Sequence, residues 1–433
     1  MKIAMKKLLT ATIALLATQM ALAGVNIQHW VAPSGARVYF VESRVLPMLD
    51  VQVDFAAGSM FDPRGKSGTA ALTRATLDLG AGNRDETAIS EQLADIGAAL
   101  AGSADTDRAS VSIRTLSAPE KRTVAIDILR QIVQAPRFDP AVVERERGRT
   151  VSALKEAMTR PDAIAGKTFW ATLYPAHPYG QQATPESVAA LTREDLLAHH
   201  ARYYTASNAS ITLVGDISRA EAEAIAETLT NQLPKGEAAA LPAAPVVASG
   251  KTVAVAHPAS QAHIMIGLPA IERGNPDFFP LLVGNYTLGG GGFVSRLMKE
   301  VRDKRGYAYS VYSYFQPLRQ TGPFQIGLQT KRSQAREAIK VTREVLDGFL
   351  KSGPSDEELA AAKANLTGSF PLRLDSNKKI LDNVAVIGFY GLPLDWLDRY
   401  QDNIRAVTPD AIKQAFARRV RTADLMTVTV AAD

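Results

Sequence analysis

From Leu49 to Ala57 the chain alternates Val51, Val53 and Phe55 with Asp50, Gln52 and Asp54, the two-residue period of a strand with one buried face. Turn formers follow at Gly58, Asp62, Pro63 and Gly65. A helix is then predicted to begin near Ser67 as N-cap, with Leu72 and Leu79 on one side. Further on, Ile89, Leu93, Ile96 and Leu100 keep helical spacing and Ala109, Val111 and Ile113 alternate. The later part repeats this mixture. Ala262, Ile264, Ile266 and Leu268 alternate, as do Phe324, Ile326 and Leu328, and helices are predicted over 333–351 and 355–368. The expected class is α+β, built on two sheets that each carry helices on one side.

Both periodicities lapse over 233–250, LPKGEAAALPAAPVVASG, an Ala- and Pro-rich stretch that predicts an interdomain linker. The domains are expected at 24–232 and 251–433. Their ends look related: 191–216 lies over 407–432 without a gap, matching Thr192 with Thr408, Ala201 with Ala417, Arg202 with Arg418 and Val214 with Val430. An equivalent helix and strand closing each half points to an internal duplication.

Residues 1–23 have the pattern of a cleavable secretory signal, with Lys2, Lys6 and Lys7, an apolar run from Leu8 to Met20, and Ala21-Leu22-Ala23 before Gly24. That run is too short and too rich in Thr for a membrane anchor, and no later stretch could span a bilayer. Removing the three lysines lowers the formal charge from +5 to +2, so nucleic acid is not an expected partner. The chain has no Cys, which excludes thiol catalysis and Cys-ligated zinc. A bacterial periplasm is the expected location.

Residues 65–80, GKSGTAALTRATLDLG, carry the more specific signal. In its order of strand, turn and helix this region resembles the insulinase/pitrilysin family, whose zinc peptidases carry HxxEH on the first helix. Two His at i and i+4 share a helix face and grip one ion, while the Glu between them activates the metal-bound water. The resemblance places Ala71 and Ala75 at the ligand positions and Arg74 at that of the base, a degenerate motif with no donor for a metal. The family's third ligand, a Glu, would fall within 149–154, which contains no acid; Glu144, Glu146 and Glu156 are out of register and read as solvated helix charges.

A second segment, LGGGGFVSRLMKEVRDKRGYAYSVYSYF from Leu288, predicts a helix with Phe293, Leu297 and Val301 on one face, a left-handed stop at Gly306, and a strand from Tyr307 to Phe315. Gly289, Gly290, Gly291 and Gly292 lack the Gly-Lys-Ser/Thr of a phosphate loop and suit close approach of a peptide backbone. Read alone, Arg302 could complement the helix dipole and Tyr309 could be one more strand aromatic. The segment also resembles the family's second-domain motif, which implies that Arg302 and Tyr309 hydrogen-bond a substrate carbonyl as it becomes tetrahedral. The histidines offer no substitute metal site: His199 and His200 diverge on a helix, His29, His177, His257 and His263 stand apart, and His177 in HPYG shapes a turn.

The resemblance as a whole implies two homologous α/β-roll domains, each a mainly antiparallel sheet with helices on one side, forming half of a clamshell. It implies a non-catalytic subunit with no cofactor of its own, an HxxEH partner chain carrying zinc, and a peptide substrate. A scaffold or peptide-holding protein is the alternative. In either case Phe55 and Ala57 are expected to touch peptide, as the end of a strand that could pair with it by β-augmentation.

Overall fold

The computed structural model describes residues 24–246 and 250–431. The signal expected over 1–23 and a short part of the expected linker lie outside those residues. From 234 to 246 the chain forms no helix or strand, although Pro234 O accepts from Ala206 N and Pro242 O from the Gln320 amide.

The first sheet has six strands in the order Gln28–Val31, Arg37–Glu42, Ala209–Gly215, Met48–Phe55, Ala109–Leu116, Ala99–Ala104. Among its pairs only Arg37–Glu42 with Ala209–Gly215 is parallel. The second sheet has five, in the order Thr252–Val255, Met426–Val430, Gln261–Ile271, Gly322–Lys331, Ala308–Phe315, and again one parallel pair, at the same place. Apart from the outer strand Gln28–Val31, the two sheets share a topology. The alignment read from the chain ends holds in three dimensions: Thr192 and Thr408 cap the helices Arg193–Tyr203 and Pro409–Arg419, short turns follow at Ala206–Asn208 and Thr422–Asp424, and each segment ends in a central strand.

Each sheet packs its apolar face on helices of its own half, with Val51, Val53, Phe55, Leu129 and Leu229 in one core and Ile264, Ile266, Phe324, Leu346 and Phe416 in the other. The expectation that the opposite face would be open to water needs correction. Asp50, Gln52 and Asp54 are 2%, 8% and 0% exposed. Helix Asn377–Tyr390, from the second half, lies across that face, and helix Pro161–Leu173, from the first half, lies across the second sheet. Sequence periodicity could not reveal this, because the cover comes from the other domain. Leu100 also departs from its helical spacing: helix Glu86–Ile96 stops at Gly97 in the left-handed conformation, and Leu100 joins an edge strand.

Close approach at both crossings depends on glycine. A Cβ on Gly388 would stand 2.5 Å from the Tyr39 ring, and one on Gly267 would stand 2.8 Å from Phe169 and 2.1 Å from the Phe324 carbonyl. Between the halves, Asp107 is fully buried and accepts from Tyr179 Oη (2.8 Å), Tyr390 Oη (2.7 Å) and Arg319 N (2.8 Å). Burial pushes its carboxyl upward, and these three donors oppose that by solvating the charge.

Gly388→Val and Gly267→Val should each destabilise the protein by about 1–3 kcal/mol through overpacking, measured by urea denaturation. A second expectation concerns pH. Burial pushes His199 and His200 down to about 4, so both imidazoles are neutral in the fold. As pH falls from about 6.5 to 4 the unfolded chain takes up protons that the fold refuses, and stability is lost. Asp54 and Asp62, pushed up to about 6 by burial, act in the opposite sense below 6 and offset part of that loss. Relative to the native chain, His200→Gln should therefore gain about 2 kcal/mol between pH 7 and 4.5, read from denaturation curves at the two pH values.

Candidate functional site

Helix Thr69–Thr76 starts later than the sequence suggests, and its cap is different. Gly68, not Ser67, is the N-cap residue, at φ 104, and the capping oxygens come from Asp62, which accepts from Gly68 N at 2.7 Å and Ala70 N at 2.8 Å. The helix ends at Thr76, so Leu79 lies beyond it while Leu72 is buried. Ala71 and Ala75, one turn apart, are exposed on a shared face. Arg74 turns inward: it is 6% exposed, its Nε donates to Ser110 O at 2.6 Å, and its Nη1 pairs with Asp78 at 2.9 Å. The guanidinium lies against the edge strand at Gly102, where a Cβ would come within 2.3 Å of it.

Zinc has no ligands here. Helix Pro140–Ala157 runs beside Thr69–Thr76, and its 149–154 stretch supplies no carboxylate. Glu146 is engaged by Arg145 and Arg149, Glu144 by Arg147, and Glu156 is exposed. Among the described residues no three His, Cys, Asp or Glu side chains come together in a way that could hold a metal. His199 bonds the Ala57 carbonyl and His200 the Val133 carbonyl, while His177 accepts from Tyr179 N and caps the short Pro178–Gly180 turn.

Phe55 and Ala57 do not form a peptide edge. Both are fully buried, and Met48–Phe55 is paired on both sides, by Ala209–Gly215 and Ala109–Leu116. Among the described residues, the strand beside Ala71 and Ala75 with an unpaired outer side is Ala99–Ala104, which pairs with Ala109–Leu116 alone. Alternation could locate the strand but not its place in the sheet.

On the second sheet, Ala308–Phe315 is an edge strand interrupted by a bulge. Ala308 faces Thr330 and Val311 faces Leu328, leaving Tyr309 and Ser310 opposite a single residue. A bulge re-aims side chains, and here it turns Tyr309 outward to 86% exposure. The preceding helix is not the regular one expected. Met298–Asp303 is a π-helix, closed by Gly306 at φ 63, with Gly306 N on Arg302 O and Tyr307 N on Val301 O. Leu297 and Val301 are buried, but Phe293 is 68% exposed and leaves the apolar face assigned to it. Arg302 stacks instead between exposed rings, its guanidinium 5.0 Å from the Phe293 centroid and 5.8 Å from that of Tyr309, with Nη1 on Asp303 at 3.1 Å.

The glycine run closes this site from behind. Gly289 is buried where a Cβ would meet Ser313, and Gly290 and Gly291 press on Asn285 and Tyr286. Gly292, at φ 59, faces open space. Gly289, Gly290, Gly292, Phe293, Arg302 and Tyr309 border a cleft of about 500 Å³ that extends to Tyr312 and Tyr314, and a second cleft of about 600 Å³ lies on the other side of Tyr309 toward Lys331. Tyr312 lies flat because Gly327 beneath it has no side chain, and it stacks on Tyr314 at 6.0 Å. The site thus presents a cation, a phenol donor and an aromatic wall to whatever enters.

Residues 38–184 match the family described as Insulinase (Peptidase family M16), and 190–366 match its Peptidase M16 inactive domain. A crystal structure of a peptidase M16 inactive domain from Pseudomonas fluorescens is 36% identical, with a TM-score of 0.90, and the match covers 94% of this chain and 98% of that one. The chain belongs to the M16 insulinase family. Among other relatives, an uncharacterized zinc protease of Streptomyces coelicolor is 26% identical over 69% of this chain and 66% of its own length. A non-peptidase homolog of Helicobacter pylori is 26% identical over 83% of each chain. The β subunit of a mitochondrial-processing peptidase from Blastocladiella emersonii is 23% identical over 92% of this chain and 87% of its own.

Within the M16 family this chain is a non-catalytic member, because its motif helix offers a metal only methyl groups and a guanidinium already paired elsewhere. Sequence reading took Asp62 for a turn former and missed its capping role, whose signal was an acid shortly before a Gly-initiated helix, and it missed the Tyr312–Tyr314 wall, visible only as an aromatic-rich strand. Purified chain dialysed against micromolar zinc should retain far less than one equivalent, as read by elemental analysis.

Proposed function

We propose that this chain is the zinc-lacking subunit of a two-chain periplasmic peptidase and presents Arg302 and Tyr309 to a peptide held against the metal centre of an HxxEH partner. The observation that carries this reading is the contrast between the two halves. The first has Ala71, Arg74 and Ala75 where the family's motif would hold and use a metal, while the second keeps Arg302 and Tyr309 outward, stacked, and bordered by two clefts. A guanidinium on the π-helix and a phenol on the bulged edge strand beside it can donate to a carbonyl oxygen as it gains charge, stabilising the transition state more than the ground state. The processing-peptidase relative, named as a subunit, supports a paired assembly. The secretory pattern of residues 1–23 supports the periplasm.

The second reading, a peptide-holding scaffold, draws on the unpaired outer side of Ala99–Ala104, whose uncharged residues could accept an extended peptide as an added strand. Mixing experiments separate the two. The isolated chain should be inert and its mixture with an HxxEH partner active; Arg302→Ala and Tyr309→Phe should then lower kcat by about 10- to 100-fold with little change in KM. Full activity with tightly bound zinc in the isolated chain would overturn the subunit reading. Peptide binding with no rate effect from either substitution would favour the scaffold.

A further inference from the structure

Where helix Pro161–Leu173 crosses the second sheet, it leaves a cavity of about 220 Å³ between the two domains. Its walls include Met265, Leu328, Ala165 and Tyr312, and Asp162 and His263 supply its ionisable groups. Ser310 and Tyr312 line both this cavity and the glycine-loop cleft, and Gln329 lines both it and the 600 Å³ cleft. A chain lying along the Tyr309 bulge therefore passes its mouth.

Two features decide what it would accept. Ala165, Ile264, Met265 and Leu328 give an apolar floor, Ser310 and Gln329 are polar at the mouth shared with the clefts, and the space is small, so it suits one long unbranched side chain rather than a backbone or a bulky ring. The charge is negative. Burial pushes the His263 imidazole down, leaving it neutral at neutral pH. The Asp162 carboxylate stays 59% exposed, with Arg160 only at 4.0 Å as its ion-pair partner. That spacing is at the outer limit of an ion pair, so the carboxylate is available to a closer cation.

We propose that this cavity is a subsite for a Lys or Arg side chain of a bound peptide, with the stem along Met265 and Leu328 and the cationic head at Asp162. The inference rests on the peptide-binding reading above and adds a substrate class to it. Neither Asp162 nor His263 belongs to the Arg302–Tyr309 pair, so the subsite can be altered without touching it.

The test uses the full chain and short, end-blocked peptides carrying a neutral fluorophore and uncharged except at one central residue, which is Lys, norleucine or Glu. Anisotropy titration should rank them Lys above norleucine above Glu, with the Lys peptide favoured about 3- to 5-fold over norleucine, as a half-exposed ion pair supplies. Asp162→Asn should abolish the Lys advantage and leave norleucine binding unchanged, while Asp162→Lys should favour Glu. Circular dichroism establishes that each variant is folded. Equal binding of the three peptides, or a Lys advantage that survives Asp162→Asn, overturns the subsite and leaves the peptide-binding reading intact. Binding of none of them overturns the peptide-binding reading and the subsite with it.

Discussion

The mutual covering of the two sheets is the constraint on which the rest depends. Each half lends one helix, Pro161–Leu173 or Asn377–Tyr390, to the face that the other half's own helices leave bare. The crossing works only at glycine contact distance, at Gly267 and Gly388. It is reinforced by Asp107, a buried carboxylate whose donors come from both halves, so separating the domains would strand a charge as well as expose Phe169, Phe389 and Val428. The halves are consequently one body, and the Arg302–Tyr309 site and the Asp162 cavity have fixed positions relative to the degenerate helix.

That rigidity explains how the metal site could be lost without loss of the fold. Asp62 holds the helix start, and Arg74, buried against Ser110 O and Gly102, anchors the helix to the neighbouring edge strand. Ala71 and Ala75 carry no packing role and face solvent. An arginine at this buried position, satisfied by a carbonyl and by Asp78, makes the first half a structural wall.

The second half spends its irregularities differently. A π-helix, a glycine run and a bulge fall within one short stretch, and together they bring Phe293, Arg302, Tyr309, Tyr312 and Tyr314 to one surface. Departures from regular geometry of this kind re-aim side chains and gather at working surfaces.

The sequence by itself determined most of the element types, the relation between the two chain ends, the absence of metal ligands at the motif positions and the family resemblance, because these rest on local periodicity, residue chemistry and motif spacing. Thr192 and Thr408 could be matched from sequence as equivalent positions, and the structure gives both the same local role, an N-cap. Only the tertiary structure decided which faces are buried, which strands are edges and which side chains meet. Asp50, Gln52 and Asp54 read as solvent-facing and are covered by a helix from the other domain; Phe55 and Ala57 read as a peptide edge and lie inside. Phe293 was placed on a core face and stands outside because it belongs to a separate 3-10 turn, Gly292–Val294, which ends at an extended Ser295 before the helix begins. The first two follow from packing against segments distant in sequence, which leave no mark on the local pattern.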